Sequence, residues 1–307
     1  MPPAGSTNSG ERMPEIQQIA VLGSGTMGLG IAHVAALAGY ATRLFDVSAE
    51  ALARAEKTIH SNLDKGVAKG KVAAADADAA KARIGLDTDL AAAVAATDLV
   101  IEAIPESLPL KIEIFERVVA ACPAHTLLSS NTSGLSISEM AAATDRPERF
   151  AGMHFFNPVH IMRLIELVRG HETSESTLAI LRAVGDRMGK EVVTVNESPG
   201  FVTSRINALI GNEAFRMLEA GVASPEDIDK ALKLGLNHPM GPFEMVDLVG
   251  LDIRLSILEF LHSTLGETYR PTEVMRRYVA DGRLGRKTGR GVYSYDEDGR
   301  RIEESET

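Results

Sequence analysis

The chain carries a single cysteine, Cys122, in 307 residues. An intramolecular disulfide and a thiolate-built metal cluster are thereby excluded, and a reducing compartment fits. Long apolar runs are also missing, for no stretch approaches the roughly 20 apolar residues of a membrane span. Positive charge is in deficit: 32 Lys and Arg stand against 42 Asp and Glu, a formal net charge of −10. With no long-range positive field, neither nucleic acid nor an anionic membrane is an expected partner, and an anionic small molecule needs a local basic patch. The opening "MPPAGSTNSGER" has no apolar core and one arginine, so it resembles neither a secretory signal nor a transit peptide, and a cytoplasmic location is expected. Its Pro, Gly, Ser and Asn predict a flexible tail over residues 1–13, with Met13 as an alternative natural start.

Apolar residues at 45% and charged residues at 24% are ordinary globular usage, so the bulk of the chain should fold. Its length suits two domains of common size. "IQQIAVLG" (16–23) reads as a buried strand entering a glycine turn, and "MGLGIAHVAALAG" (27–39) as the helix that follows. "ATRLFD" (41–46) is a second strand, and one long helix is expected from Ser48 to about Ala80. Further strands are expected at 98–104, 125–131, 150–156, 163–168 and 191–196, with helical patterns at 108–122 and 174–189. This alternation predicts a Rossmann-like, doubly wound α/β sheet over residues 14–199, since parallel neighbours need crossover elements. From Phe201 only helices are expected: 201–220, 225–235 opened by Ser224 and Pro225, 242–265 and 272–281. Residues 200–307 therefore form an all-α C-terminal domain, with the boundary near Pro199-Gly200. No repeat is present, and the Ala-rich 91–96 is the one biased tract.

"GSGTMG" places Gly23, Gly25 and Gly28 at dinucleotide-binding spacing. The first permits the tight turn, the second lets backbone approach a pyrophosphate, and the third lets helix pack on strand. Amides at the start of the helix, around Thr26 and Met27, then face the phosphates. Glycine turns are common, but Asp46 closes the second strand about twenty residues on, where a carboxylate accepts from the adenosine ribose hydroxyls and repels a 2′-phosphate. NAD is expected over NADP.

"HFFNPVHIMRLIE" (154–166) joins a histidine to a glutamate. Histidine is the usual general base for an alcohol proton near neutral pH, and a carboxylate beside it fixes the tautomer and stabilises the imidazolium. By spacing alone, His154 reads as a buried core residue and Glu166 as a solvated one.

Taken in order, "GSGTMG", "SSNTSGLSI", "FAGMHFFNPV", "LIELV", "SPGFVTSRI", "NHPMGPFEMVDLVGLD" and "GRLGRKTGRGVYSY" resemble the short-chain L-3-hydroxyacyl-CoA dehydrogenases, above all the bacterial 3-hydroxybutyryl-CoA dehydrogenases. The likeness runs from about Ile16 to Tyr295. It implies reversible NAD-linked oxidation of a 3-hydroxyacyl-CoA to the 3-ketoacyl-CoA, with His154 as base and Glu166 orienting it. It also implies that Ser133 sits by substrate and nicotinamide, and that Glu106, Lys111, Asn157 and Lys287 contact the cofactor. Asn62 and Lys69 match positions that contact CoA, with Lys57, Lys65 and Lys71 as further local cations. The family's "GFxxNR" reads "GFVTSR" here, so Ser204 stands where an asparagine donates to the substrate oxygen, a role worth about 3–4 kcal/mol at comparable sites. His160 stands where many relatives have proline and has no assigned role. A homodimer through the C-terminal helices is implied. Two other readings stay open: the same fold acting on 3-hydroxyadipyl-CoA, with Arg163 as the extra cation, or on a free hydroxy acid such as L-gulonate; and a catalytically silent cofactor-binding protein.

Overall fold

A computed structural model of the protein describes residues 15–302, and the expected tail and Met13 lie outside them. The described residues form two compact units that divide between Glu197 and Ser198. The first begins β1 (Gln18–Leu22), α1 (Thr26–Leu37), β2 (Ala41–Phe45), α2 (Ala49–Ala68), α3 (Ala74–Arg83), β3 (Ile84–Asp87) and α4 (Leu90–Val94). It continues β4 (Leu99–Glu102), α5 (Leu108–Val119), β5 (Leu127–Ser130), α6 (Ile137–Ala142), β6 (Phe150–Phe155), β7 (Leu164–Arg169), α7 (Glu175–Arg187) and β8 (Glu191–Asn196).

These strands make one eight-stranded sheet in the order β3-β2-β1-β4-β5-β6-β7-β8. The chain winds outward from β1 in one direction, then returns to β4 on the other side of β1. That reversal opens a crevice beyond the carboxyl ends of β1 and β4, the position where open α/β sheets bind ligands. Val21, Ile31, Leu44, Ile101, Met153 and Leu167 are fully buried in its core, each contributing on the order of 1.5–3 kcal/mol by burial.

Three departures from the sequence reading have local causes. The helix expected from Ser48 to Ala80 is two helices, because the chain turns after α2 at Gly70, whose φ is +65°. A side chain resists that conformation and glycine does not. Behind the break, the half-buried edge strand β3 pairs with β2. The third departure is direction: β6 and β7 pair antiparallel while the other neighbours in the sheet run parallel. Residues 156–163 are too few for a parallel crossover, which takes about a dozen or more.

The second unit holds α8 (Thr203–Glu219), α9 (Pro225–Gly235), α10 (Pro242–Val249), α11 (Leu251–Leu265) and α12 (Glu273–Ala280). The single helix expected over 242–265 is broken by Gly250 at φ +108°. Nor is the unit purely helical, since β9 (Ser294–Tyr295) and β10 (Arg301–Ile302) form a small antiparallel pair. Ser224 caps α9 by accepting the Asp227 N–H at 3.1 Å, with Pro225 following it. Two buried aspartates tie the unit together. Asp229 accepts the Phe243 and Glu244 N–H groups at the start of α10 and the Tyr293 hydroxyl. Asp247 accepts the Val292 and Tyr293 N–H groups and the Tyr295 hydroxyl, at 2.8–2.9 Å. Removing such an acceptor strands three donors, two of them buried. Asp247→Ala should therefore destabilise the protein by about 2–4 kcal/mol, read as a lower urea midpoint, and Asp247→Asn by less.

Candidate active site

At the end of β1 the backbone turns through Gly23, whose φ is +96°. A Cβ there would meet the Ala103 carbonyl oxygen at 2.6 Å, and one on Gly28 would meet the Gly23 oxygen at 1.7 Å. Both glycines are needed for the strand, turn and helix to lie this close. Gly25 differs: a Cβ there meets nothing within 4 Å, so the hydrogen fronts open space. Gly25 is the N-cap of α1 without a side-chain cap, and the first turn carries no acid. The amide donors around Thr26 and Met27 thus face a space suited to a phosphate.

Asp46 follows β2 beside this turn. Its Oδ2 accepts from the Ser24 N–H at 2.9 Å and the Ser24 hydroxyl at 2.7 Å, and its Oδ1 from the Ser48 N–H at 3.0 Å. Burial opposes its charge, but these three bonds outweigh it and hold the carboxyl below the usual range. A charged acceptor beside this open turn matches an adenosine ribose and repels a 2′-phosphate. These residues fit NAD.

His154 and Glu166 come together in a way their spacing hides. They are direct register partners across the antiparallel β6–β7 pair, and His154 Nδ1 lies 2.8 Å from Glu166 Oε2. Both are buried. An ionised carboxylate only accepts, so this contact puts the proton on Nδ1 and leaves Nε2 as the ring's basic nitrogen. Phe156 packs on the imidazole with ring centroids 4.4 Å apart. Asn131 accepts the Phe155 N–H through Oδ1 at 2.9 Å, fastening the end of β5 to β6 beside the histidine.

Glu106, Lys111 and Ser133 also converge. Glu106 Oε1 accepts from the Thr132 hydroxyl, the Ser133 N–H and the Ser133 hydroxyl at 2.6, 2.9 and 3.3 Å. Lys111 is buried; its Nζ lies 2.6 Å from Glu102 and 3.2 Å from Glu106. Glu102 is buried as well, and burial pushes its carboxyl up against the opposing pull of Lys111, Ser130 and the Ile104 amide. With Met27 and Asn131, the side chains of Glu106, Lys111 and Ser133 line a cavity of about 230 Å³. Ser24, Glu102, Ser130, Asn131 and Thr132 are the residues the sequence reading passed over. The discoverable one is Glu102, a carboxylate inside the apolar run "DLVIEAI".

Asn62 and Lys69 line a cleft of about 540 Å³ with Lys65, Lys71, Arg187 and Lys190. Lys57 faces a separate depression on α2. His33 and His160 stack in the cleft with ring centroids 5.4 Å apart. Burial, helped by His160 and Lys190, pushes His33 down to about 4, and His160 is lowered by burial too. At neutral pH the cleft's positive charge therefore comes from its lysines and arginines. Arg163, the cation considered for a dicarboxylate, is exposed and pairs with Glu191 at 2.6 Å. Asn157 is exposed just beyond β6. In the helical unit, Ser204 lies in the first turn of α8, and Lys287 pairs with both oxygens of Asp252 at 2.6 and 2.7 Å. Among the described residues no helix is long and apolar enough to cross a membrane.

A family model for the 3-hydroxyacyl-CoA dehydrogenase NAD-binding domain matches residues 18–198, and one for the C-terminal domain of the same family matches residues 200–295. A probable 3-hydroxybutyryl-CoA dehydrogenase of Bacillus subtilis is 48% identical over 284 residues, covering 92% of this chain and 99% of that protein. The 3-hydroxybutyryl-CoA dehydrogenase of Bradyrhizobium diazoefficiens is 44% identical, covering 91% of this chain and 96% of its own. Among solved structures, (S)-3-hydroxybutyryl-CoA dehydrogenase from Ralstonia eutropha superposes with a TM-score of 0.89 at 44% identity, covering 92% of this chain and all of that one.

The glycine geometry makes a direct prediction. Gly28→Ala forces α1 away from the Gly23 carbonyl, so NADH affinity measured by fluorescence titration should fall by about tenfold or more.

Proposed function

The chain belongs to the NAD-dependent 3-hydroxyacyl-CoA dehydrogenase family, and from that premise we propose that it interconverts short-chain L-3-hydroxyacyl-CoA, in particular 3-hydroxybutyryl-CoA, and the 3-ketoacyl-CoA, with His154 as general base. The observation that carries this reading is the buried 2.8 Å contact between His154 Nδ1 and Glu166 Oε2. NAD, when bound, supplies the hydride acceptor. Gly23, Gly25, Gly28 and the amides of Thr26 and Met27 hold its pyrophosphate, and Asp46 its adenosine ribose. Glu106, Lys111, Ser133, Asn157 and Lys287 complete the cofactor contacts.

In the oxidative direction His154 Nε2 removes the 3-hydroxyl proton. Glu166 keeps Nδ1 protonated beforehand and faces the imidazolium afterwards with a full negative charge, so the proton is held without leaving the site. In reduction the same imidazolium returns it. Ser133 offers its hydroxyl to the substrate oxygen, and Ser204 offers a second donor of shorter reach than the family's asparagine.

The short chain is supported by relatives of 44–48% identity whose names specify 3-hydroxybutyryl-CoA. CoA is supported by the basic cleft that contains Asn62 and Lys69: on a chain of net charge −10, local lysines and an arginine are what draw in a polyphosphate. Apolar side chains left exposed in the helical unit, among them Ile206, Leu248 and Ile253, support association of two copies there. Sedimentation should then show about twice the 32.8 kDa chain mass. A cytoplasmic site of action completes the reading.

With acetoacetyl-CoA, NADH should be oxidised rapidly and NADPH slowly; no turnover with NADH bound would contradict the assignment. His154→Gln should fold normally and lose about 10²- to 10⁴-fold in kcat. Asp46→Ala should lower the NADH over NADPH preference in kcat/KM by about tenfold or more. Near-normal turnover in the first variant or an unchanged preference in the second would contradict the corresponding role.

A further inference from the structure

Glu102 ends β4 at the point where the winding of the sheet reverses, opposite Leu22 of β1 and Ser130 of β5. Its side chain is wholly buried. An apolar residue would serve the strand as well, and a carboxylate taken out of water is costly unless several donors meet it. They do. Oε1 accepts from Lys111 Nζ at 2.6 Å and the Ile104 N–H at 2.7 Å, and Oε2 from the Ser130 hydroxyl at 2.5 Å. The arrangement is complete without a ligand, and Glu102 is not among the groups that line the neighbouring cavity.

Lys111 does line it. Its ammonium is shared between two carboxylates, buried Glu102 at 2.6 Å and half-exposed Glu106 at 3.2 Å, and it also donates to the Ile104 carbonyl at 3.3 Å. Glu106 uses its other oxygen to hold Thr132 and Ser133. Thr132 in turn accepts the Gly134 and Leu135 N–H groups, so the backbone of the loop after β5 hangs on the same chain of bonds. The ionic order is therefore Glu102, Lys111, Glu106, with Ser133 at the far end facing the cavity. Remove the first charge and Lys111 has one carboxylate left, so it moves toward Glu106 and competes with Ser133 for it.

We infer that Glu102 is a positioning residue for cofactor binding: it anchors the Lys111 ammonium so that Glu106 and Ser133 are presented to the nicotinamide end of the dinucleotide in a fixed orientation. The inference rests on the proposed cofactor contacts of Lys111, Glu106 and Ser133. Glu102 itself touches neither substrate nor cofactor. Its effect belongs mainly in NADH affinity and the KM for NADH, with the KM for acyl-CoA unchanged.

The test is a double-mutant cycle in the full-length protein, using Glu102→Gln, Lys111→Met and both together, with NADH dissociation constants from fluorescence titration and KM values with acetoacetyl-CoA. Glu102→Gln keeps the shape and an oxygen acceptor while removing the charge. It should weaken NADH about ten- to a hundredfold and leave the KM for acetoacetyl-CoA within twofold. Because Glu102 acts through Lys111, the double variant should bind NADH no worse than Lys111→Met alone; additive losses overturn the inference. So does a folded Glu102→Gln protein that binds NADH like the wild type while Lys111→Met is impaired. If Glu102→Gln does not fold, the double variant, which removes both buried charges together, is compared with Lys111→Met and with Glu102→Asp. Glu102→Asp retains the charge and should recover most of the affinity; failure to exceed the double variant overturns the inference. A Lys111→Met protein with wild-type NADH affinity removes the reading beneath the inference, and the inference with it, whereas wild-type turnover of acetoacetyl-CoA tests the dehydrogenase reading separately.

Discussion

The contact on which the proposed chemistry depends is the buried pairing of the His154 imidazole with the Glu166 carboxylate, 2.8 Å apart across β6 and β7. Two groups that titrate in water are held here out of it, so each must be satisfied by fixed neighbours. The antiparallel register does this without a flexible loop: residues directly opposite in such a pair have their side chains on one face and within contact range. A slip of β7 by one residue would turn Glu166 to the face of the sheet opposite His154. The direction of β7 is therefore a condition of the site. It follows from the short connection through residues 156–163, which cannot carry a crossover helix.

The same economy appears at the glycine turn and at the end of β4. Gly23 and Gly28 bring strand and helix together, and Gly25 leaves the opening above the helix start clear. Ser24 then bonds Asp46 through both backbone and side chain, so the first turn and the second strand are set relative to each other by two bonds to one carboxylate. Next to them, Lys111 links a buried carboxylate to a half-exposed one. Each cluster joins the ends of neighbouring strands at the sheet's reversal point, where backbone groups no longer pair within the ladder and side chains take over.

Much of the fold was legible in the sequence because its signals are local. Apolar runs bounded by glycine marked β1 and α1, and Ser224 with Pro225 marked the start of α9. Less was legible where the cause is tertiary. β3 is four half-buried residues, too short a run to announce itself, and it exists because β2 offers an edge. Gly70 and Gly250 sit inside sequences of helical character, where a positive φ is invisible until the chain is folded. At the site, His154 and Glu166 were legible through the motif that surrounds them and not through spacing, since a separation of twelve residues says nothing about register. Lys111 was legible as a cofactor contact through the resemblance but not as a buried charge, and Glu102 was passed over, because burial of a charge shows only when its counter-charge is found.

Glu166→Gln is the variant to measure first, by steady-state kinetics with 3-hydroxybutyryl-CoA and NAD alongside NADH titration. The amide preserves shape but can also donate, so the imidazole loses both the enforced tautomer and the charge opposite its cationic form. The account predicts a kcat lower by about 10²- to 10⁴-fold with NADH affinity unchanged. A folded Glu166→Gln protein within threefold of wild-type kcat, allowing for a margin of about 0.6 kcal/mol in the barrier, would contradict it.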